Sequence, residues 1–474
     1  MQHSTARRSA MTEVSKPLDA TQAQRTYGTD TGSTRVDKVK GRGGGLVALA
    51  FASIVDGFEG GLVNTLFPVI RDSLGLQTSA LGIMTAMSRF ARMLFGPIWA
   101  ALADRYGRKR ILFIATGLWG LWTVAAGFAQ NPTQLFILYG IGVIGTVASE
   151  PITNGLIVDM YRSKERGRAF GTLRTIALTA SVFATPLIGQ FANVEDGWRY
   201  GMFAMGGISV VSGILILLLV HEPKKHTPVG AIDPDAMKFN FRDAVGLLRN
   251  RTILFMAVQV MLTTSLVLFA FFVVYWVDER GWTTADAALL MSAYMLGAVI
   301  SSFAGGLLGD WFERRFGYKG RVMMMQGYLV AYAVSTALLF QIDWGTGVAV
   351  YVAVFVTGLL SSLGHPGAVL PIVGSVVHKS VVATAYALIF SFIQGLFAAI
   401  FSLAFGFLAD ALGLQALMFW LISVPYAINA VLWTLMYRIY PRDAAAQRAL
   451  DDQEEAALAA APASVDSGEA DPRA

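Results

Sequence analysis

Mostly apolar runs alternate with short polar breaks along most of the chain, and each run has the length, about 20 residues, that one helical passage through a bilayer core requires. Twelve such runs are predicted, over residues 45–70, 79–103, 110–129, 134–160, 167–192, 199–220, 252–276, 284–309, 321–342, 346–376, 382–408 and 414–437. Several exceed the minimum and hold Gly or Pro, which suits tilted or kinked helices packed against one another. The longest break, residues 221–250, divides the runs six and six. Its EPKKHTPVG and DPDAMKFNF stretches read as a linker with one amphipathic helix around Phe241 to Leu248. The pattern predicts an all-α membrane protein with twelve transmembrane helices in two six-helix bundles, residues 45–220 and 251–440. Residues 1–44 are polar, without an apolar core, and are expected to be a disordered tail. Residues 441–474 form a second tail, whose DDQEEAALAAA suits either a short surface helix or a loose segment.

Composition agrees with the pattern. Of 474 residues, 55% are hydrophobic and 15% charged, where a soluble domain carries about a quarter charged. The chain has no cysteine, which excludes disulfides, thiol catalysis and cysteine-ligated metals, and five scattered histidines argue against a metal site. No cofactor is expected. The net charge of +5 falls in short clusters between apolar runs rather than along one face, so it speaks for topology and against a nucleic-acid partner. Lys and Arg gather before run 1 and after every even-numbered run, while the opposite breaks hold little beyond Arg71, Arg199 and Arg280. Both termini are therefore expected on the cytoplasmic side of a cell membrane that the chain crosses many times.

Two of these basic clusters repeat. AALADRYGRK from Ala100 follows run 2, and GLLGDWFERR from Gly306 follows run 8, with Asp104 and Asp310 in the same register of each half. The first resembles the G-x-x-x-D-R-x-G-R-R/K signature of major facilitator superfamily (MFS) transporters. Asp104, Arg105, Gly107, Arg108 and Lys109 match, and Ala100 stands where glycine is usual. The second is a weaker echo through Gly306, Asp310 and Arg314. The resemblance covers roughly residues 45–440 and implies the MFS fold, a monomer, and a gating role for these residues: the acid sits by a neighbouring helix terminus and the bases pair with acids in the other bundle when the cytoplasmic side is closed.

More telling are charges where lipid would be expected. A charge at the centre of a span costs about 2.5–3.5 kcal/mol on insertion scales, so such groups face water or each other. DGFE in run 1 places Asp56 and Glu59 one turn apart, and run 2 carries Arg89 and Arg92 at the same spacing. Counting helical rise puts Asp56 roughly 16 Å from one face and Arg89 roughly 15 Å from the other, so the two sets are expected to meet near the midplane. An acid there has a proton affinity set by desolvation and a nearby guanidinium, which is what a proton carrier needs. Asp56 or Glu59 is expected to bind the coupled proton, with Arg89 or Arg92 tuning it or meeting an anionic substrate. Glu150 and Arg174 are expected to form a second pair, with Asn154 extending the polar face; Gln259, His365 and Gln394 are the deep polar candidates of the second half. LFAFFVVYW of run 7 and YALIFSFIQG of run 11 are the preferred cavity walls.

Short outer breaks leave no room for an enzyme's catalytic loops, and nothing suggests a selectivity filter, so an enzyme or a channel is the remote alternative. The expectation is a secondary transporter of small organic solutes, coupled to protons and working by alternating access. DGFE is similar to the D-G-F/Y-D element of aromatic-acid and proton symporters, which implies uptake of an organic anion. SVFATPLIGQ from Ser181 is similar to the G-x-x-x-G-P-x-x-G-G element of proton-driven drug antiporters through Pro186 and Gly189, which implies efflux instead.

Overall fold

The computed structural model describes residues 42–161, 163–221, 245–263, 265–378 and 381–460. Among them run twelve long helical stretches: α1 (Arg42–Leu74), α2 (Ser79–Tyr106), α3 (Arg108–Gly127), α4 (Pro132–Met160), α5 (Glu165–Asn193), α6 (Gly197–Leu219), α7 (Arg251–Asp278), α8 (Thr284–Phe316), α9 (Tyr318–Gln341), α10 (Val348–Ser375), α11 (Thr384–Leu412) and α12 (Leu414–Ala456). Eleven are long and apolar enough to cross a membrane. The other, α2, is 28 residues long and less apolar, because Arg89 and Arg92 lie in its middle.

Local chemistry sets the ends. Asn131 accepts from the Gln134 N–H and Pro132 occupies the first turn of α4, where a missing N–H is harmless. Thr283 caps α8 by accepting from the Asp286 N–H while its hydroxyl donates to the Asp286 carboxylate. Between α2 and α3 the chain turns at Gly107, whose φ of 100° disfavours any residue with a Cβ. Among the described residues, four stretches are wound as π-helix: Phe113–Leu118 in α3, His365–Val369 in α10, Ala387–Ile393 in α11 and Met418–Ser423 in α12.

Within the first half, α1 packs on α4, α5 and α6, and α3 on α6; within the second, α8 packs on α9 and α10, and α9 on α12. The halves meet mainly through α2 against α11, α5 against α8, and α1 against α7. Moving each helix number on by six turns the α2–α11 contact into the α8–α5 contact, which is the sign of a pseudo-twofold axis between two six-helix bundles.

The core is continuous at one end and divided at the other. Leu62, Leu66, Phe67 and Ile70 of α1 share a cluster with Phe271, Phe272 and Trp276 of α7 and Tyr294 of α8. Toward Asp104, by contrast, the apolar residues form one cluster inside the first bundle, and toward Asp310 a separate one inside the second. The molecule is therefore closed at the Arg71 end and open at the Asp104 end. The run 7 aromatics expected to wall a cavity, Phe271, Phe272, Tyr275 and Trp276, are instead buried in that continuous core, with ring contacts to Phe405, Tyr294, Phe340 and Trp282 of their own half.

Most of the 221–250 break lies outside the described residues, including Phe241 to Asp243 of the expected amphipathic helix; Leu247–Arg249 form a short 3₁₀ turn. The acidic Ala-rich stretch continues the last helix to Ala460. That extension is docked on its own bundle: Asp443 accepts from the Thr252 N–H and hydroxyl at the start of α7, and His378 meets Glu454 at 2.7 Å.

Candidate functional site

The two acids of DGFE diverge. Glu59 accepts from the Ser209 hydroxyl of α6 at 2.7 Å and the Thr123 hydroxyl of α3 at 3.1 Å, so it faces the interior of its own bundle. Asp56 has both oxygens buried without a hydrogen-bond partner; Ser149 of α4, Glu59 and Arg92 are its polar neighbours. The expected meeting of Glu59 with an arginine is therefore not what the structure shows. A spacing of three residues separates side chains by about 60° around the axis, enough to place one acid toward α4 and the other between α3 and α6.

Arg92 forms the ion pair that had been expected of Arg174: its Nη1 lies 2.9 Å from Glu150 Oε2, with both side chains more than half exposed. Depth counting had put Glu150 level with Arg174, but azimuth decides, and α4 turns Glu150 toward α2. Arg89, one turn before Arg92, has Arg92 and Tyr139 as its charged and titratable neighbours. Arg174 stands exposed on α5 and faces His365 of α10, in the other bundle. Asn154, a turn beyond Glu150, is exposed as well. The open crevice thus presents Arg92, Glu150, Asn154 and Arg174 from one bundle and His365 from the other.

His365 opens the π-wound stretch of α10 and packs edge-on against Phe390, 5.0 Å between ring centroids, in the π-wound stretch of α11. Tyr386 of α11 donates to the Leu370 carbonyl at 2.9 Å and binds the two helices together. Gln394 follows directly, half-buried at the resumption of α-helix. Gln259 is elsewhere: 3% exposed, it accepts from Asn429 of α12 at 3.3 Å inside the second bundle, where amide-to-amide pairing satisfies it without a ligand.

At the open end, Arg108 binds Asp104 through Nη2 at 2.8 Å and Asp159 at the foot of α4 through Nη1 at 2.8 Å, so it ties α2, α3 and α4 of one bundle. Gly155 makes room, since a Cβ there would lie 2.7 Å from the Arg108 guanidinium carbon. Arg105 lies over the ring of Tyr106. In the second bundle the corresponding arginine is Arg321 of α9, not Arg314. Arg321 is 8% exposed and bonds Asp310 at 2.8 Å, Glu313 at 2.6 Å and the Gly367 carbonyl, whereas Arg314 is exposed. The signature spacing pointed to Arg314, but α8 runs a turn further past its acid than α2 does, so the arginine that folds back comes from after Gly317.

The closed end has contacts that no motif announced. Arg71 of α1 bonds Asp278 of α7 through two nitrogens, at 2.5 and 2.9 Å. Asp410 of α11 accepts from the Thr78 and Ser79 N–H groups, capping α2 from the opposite bundle. Below it α2 and α11 touch backbone to backbone: a Cβ on Gly82 would meet the Ser402 carbonyl oxygen at 2.6 Å and Gly406 Cα at 2.9 Å.

Two bundles related by a pseudo-twofold axis, sealed at one end and parted at the other over a crevice of charged side chains, define a membrane carrier. Residues 49–402 match the Major Facilitator Superfamily, and the chain belongs to it. It is 24% identical over 302 residues to the "Probable galactarate/D-glucarate transporter GudP" of Escherichia coli K12, a match covering 57% of this chain and 67% of that one. The quinolone resistance protein NorA of Staphylococcus aureus is 28% identical over 170 residues, covering 36% of this chain and 43% of that one. Among solved structures, a bacterial homolog of the human lysosomal transporter Spinster, inward-facing and occupied, has a TM-score of 0.72 at 16% identity, covering 87% of this chain and 99% of that one. A D-xylose-proton symporter has a TM-score of 0.64 at 15% identity, covering 84% and 98%. The chain is a secondary transporter and not an enzyme.

Proposed function

We propose that the protein imports small organic anions together with protons, through a site between the bundles that opens to either side in turn. The observation that carries this reading is Asp56: a carboxyl in the middle of a membrane-crossing helix, with both oxygens buried and only Ser149, Glu59 and Arg92 as polar neighbours. Permanent ionisation there would be expensive, and a permanent ion pair would use the guanidinium that Glu150 already holds. A group that takes up and releases a proton resolves the conflict. The anionic substrate class is supported by Arg174, which has no acid partner among the described residues and stands at the crevice with Arg92 and His365; Asn154 and Gln394 add hydrogen-bonding capacity. The relative named for galactarate and D-glucarate supports the same class.

The open end, on this reading, is cytoplasmic, with both termini on that side, and the protein works as a monomer in the cell membrane. The Arg108 and Arg321 clusters hold the feet of each bundle rigid while the bundles rock. The competing reading, proton-driven efflux of drugs or metabolites, is favoured by the NorA match and by the SVFATPLIGQ likeness. The test is uptake of radiolabelled galactarate by proteoliposomes under an imposed pH gradient, with lumenal pH read by a trapped dye. Wild type is expected to accumulate solute and protons together, and Asp56→Asn to lose accumulation while keeping exchange. Accumulation unchanged in both Asp56→Asn and Glu59→Gln would end the proton-carrier reading; outward movement of a hydrophobic cation would favour the antiporter.

A further inference from the structure

Glu59 lies away from the crevice, yet a carboxyl that cycles a proton must reach bulk water. It lines a cavity of about 50 Å³ between α1, α2, α3, α4 and α6. Glu59, Ser88, Thr123, Tyr139 and Thr146 are its polar lining residues. A void holds water when it exceeds roughly 10–15 Å³ and offers two to four polar partners, and this one meets both conditions. Tyr139, another lining residue, has Arg89 as its charged neighbour, one turn from Arg92 at the crevice. The lining thus runs from Glu59 to a residue beside the arginine pair of α2.

We propose that water in this cavity carries the coupled proton between Glu59 and the crevice, with the Tyr139 hydroxyl as the relay at its outer wall. The inference rests on the proton-coupled reading above and names the route that reading needs. Glu59 gives its proton to a cavity water. That water passes a proton to the Tyr139 oxygen as the phenolic proton leaves to water on the Arg89 side, and the phenol then turns back. One proton moves, only O–H bonds break and form, the phenol is neutral before and after, and Glu59 is left as a carboxylate. The charged and titratable groups around the route are Asp56 on α1, Arg89 and Arg92 on α2, and Tyr139 and Glu150 on α4; α3 and α6 contribute the Thr123 and Ser209 hydroxyls that hold Glu59 once it has given up the proton.

Infrared spectroscopy of the full-length protein in lipid tests this without a substrate. The carboxyl band of Glu59 is assigned by its disappearance in Glu59→Gln, and its shift is followed after exchange of the buffer into D2O. Tyr139→Phe keeps the ring and removes the relay; Gly142→Val fills the void from α4. Each is expected to slow the band's response about tenfold while leaving its final position unchanged. A response as fast as wild type in Tyr139→Phe, in protein whose melting temperature is unaltered, overturns the proposal. Should Gly142→Val fail to fold, the Tyr139→Phe rate decides alone. Loss of the parent reading has a separate signature: galactarate accumulation driven by a pH gradient that survives in both Asp56→Asn and Glu59→Gln.

Discussion

Replacing Arg71 by alanine should release the closed end. Arg71 reaches Asp278 across the two bundles through two charge-assisted bonds, with the side chains only 19% and 25% exposed. Bonds to charged groups contribute about 1.5–3 kcal/mol each when shielded, and partial hydration brings this bidentate pair down to about 2 kcal/mol in total. The pair is made in the state closed at this end and lost in the state open there, so its full value enters the equilibrium between them. A change of about 2 kcal/mol raises the population open at the Arg71 end roughly thirtyfold. The chain has no cysteine, so Ser402→Cys supplies a single thiol, set 1% exposed in the α2–α11 seam beside Gly82. Its rate of alkylation by a maleimide reports how often the seam opens. Arg71→Ala should raise that rate by the same factor, and Arg71→Asp with Asp278→Arg should return it toward the starting value. Equal rates with and without Arg71 would show that the ion pair does not distinguish the two states, and the assignment of this end as a gate would fall.

Other outcomes follow from particular contacts. Gly82→Leu places a side chain against the Ser402 carbonyl and Gly406, and should hold the Arg71 end open, abolishing net uptake in proteoliposomes while the protein still reaches the membrane. Arg321→Ala leaves Asp310, Glu313 and the Gly367 carbonyl without their shared partner and should cost about 3 kcal/mol, the low end for breaking a buried ion pair because both acids keep some water. Arg314→Ala should lie within about 0.5 kcal/mol of wild type in the same thermal melt. Asp443→Asn weakens the acceptor for the Thr252 N–H and hydroxyl at the start of α7, and should lower stability by about 1 kcal/mol, read from the melting temperature in detergent.

The helices were legible because a span leaves a strong one-dimensional trace: a run of about 20 apolar residues can hardly be anything else. Even α2, diluted by Arg89 and Arg92, kept enough of it to be found. Depth along a span was legible too, since rise per residue is fixed. Direction around the axis was not, because 100° per residue accumulates any error in where a helix starts or where a π-turn intervenes. That is why Glu150 was matched to Arg174 when it pairs with Arg92, why Asp56 and Glu59 were put on one face, and why Gln259, a deep polar candidate, gave no sign of its pairing with Asn429 inside the second bundle. Arg321 was hidden by length, the extra turn of α8 before Gly317. The seal made by Arg71, Asp278 and Asp410 carried no signal, because charges at span ends read as topology until two bundles bring them together.

The π-wound stretches of α10 and α11 meet where His365 touches Phe390. Each holds a surplus residue in its ladder of backbone bonds, much as a crystal holds a dislocation, and shifting that surplus by one turn rotates the residues it passes by about 100° around the axis while the helix on either side keeps its direction. A crevice wall built this way can turn a few side chains as a solute arrives and leave the rest of the helix, bonded into its bundle, undisturbed.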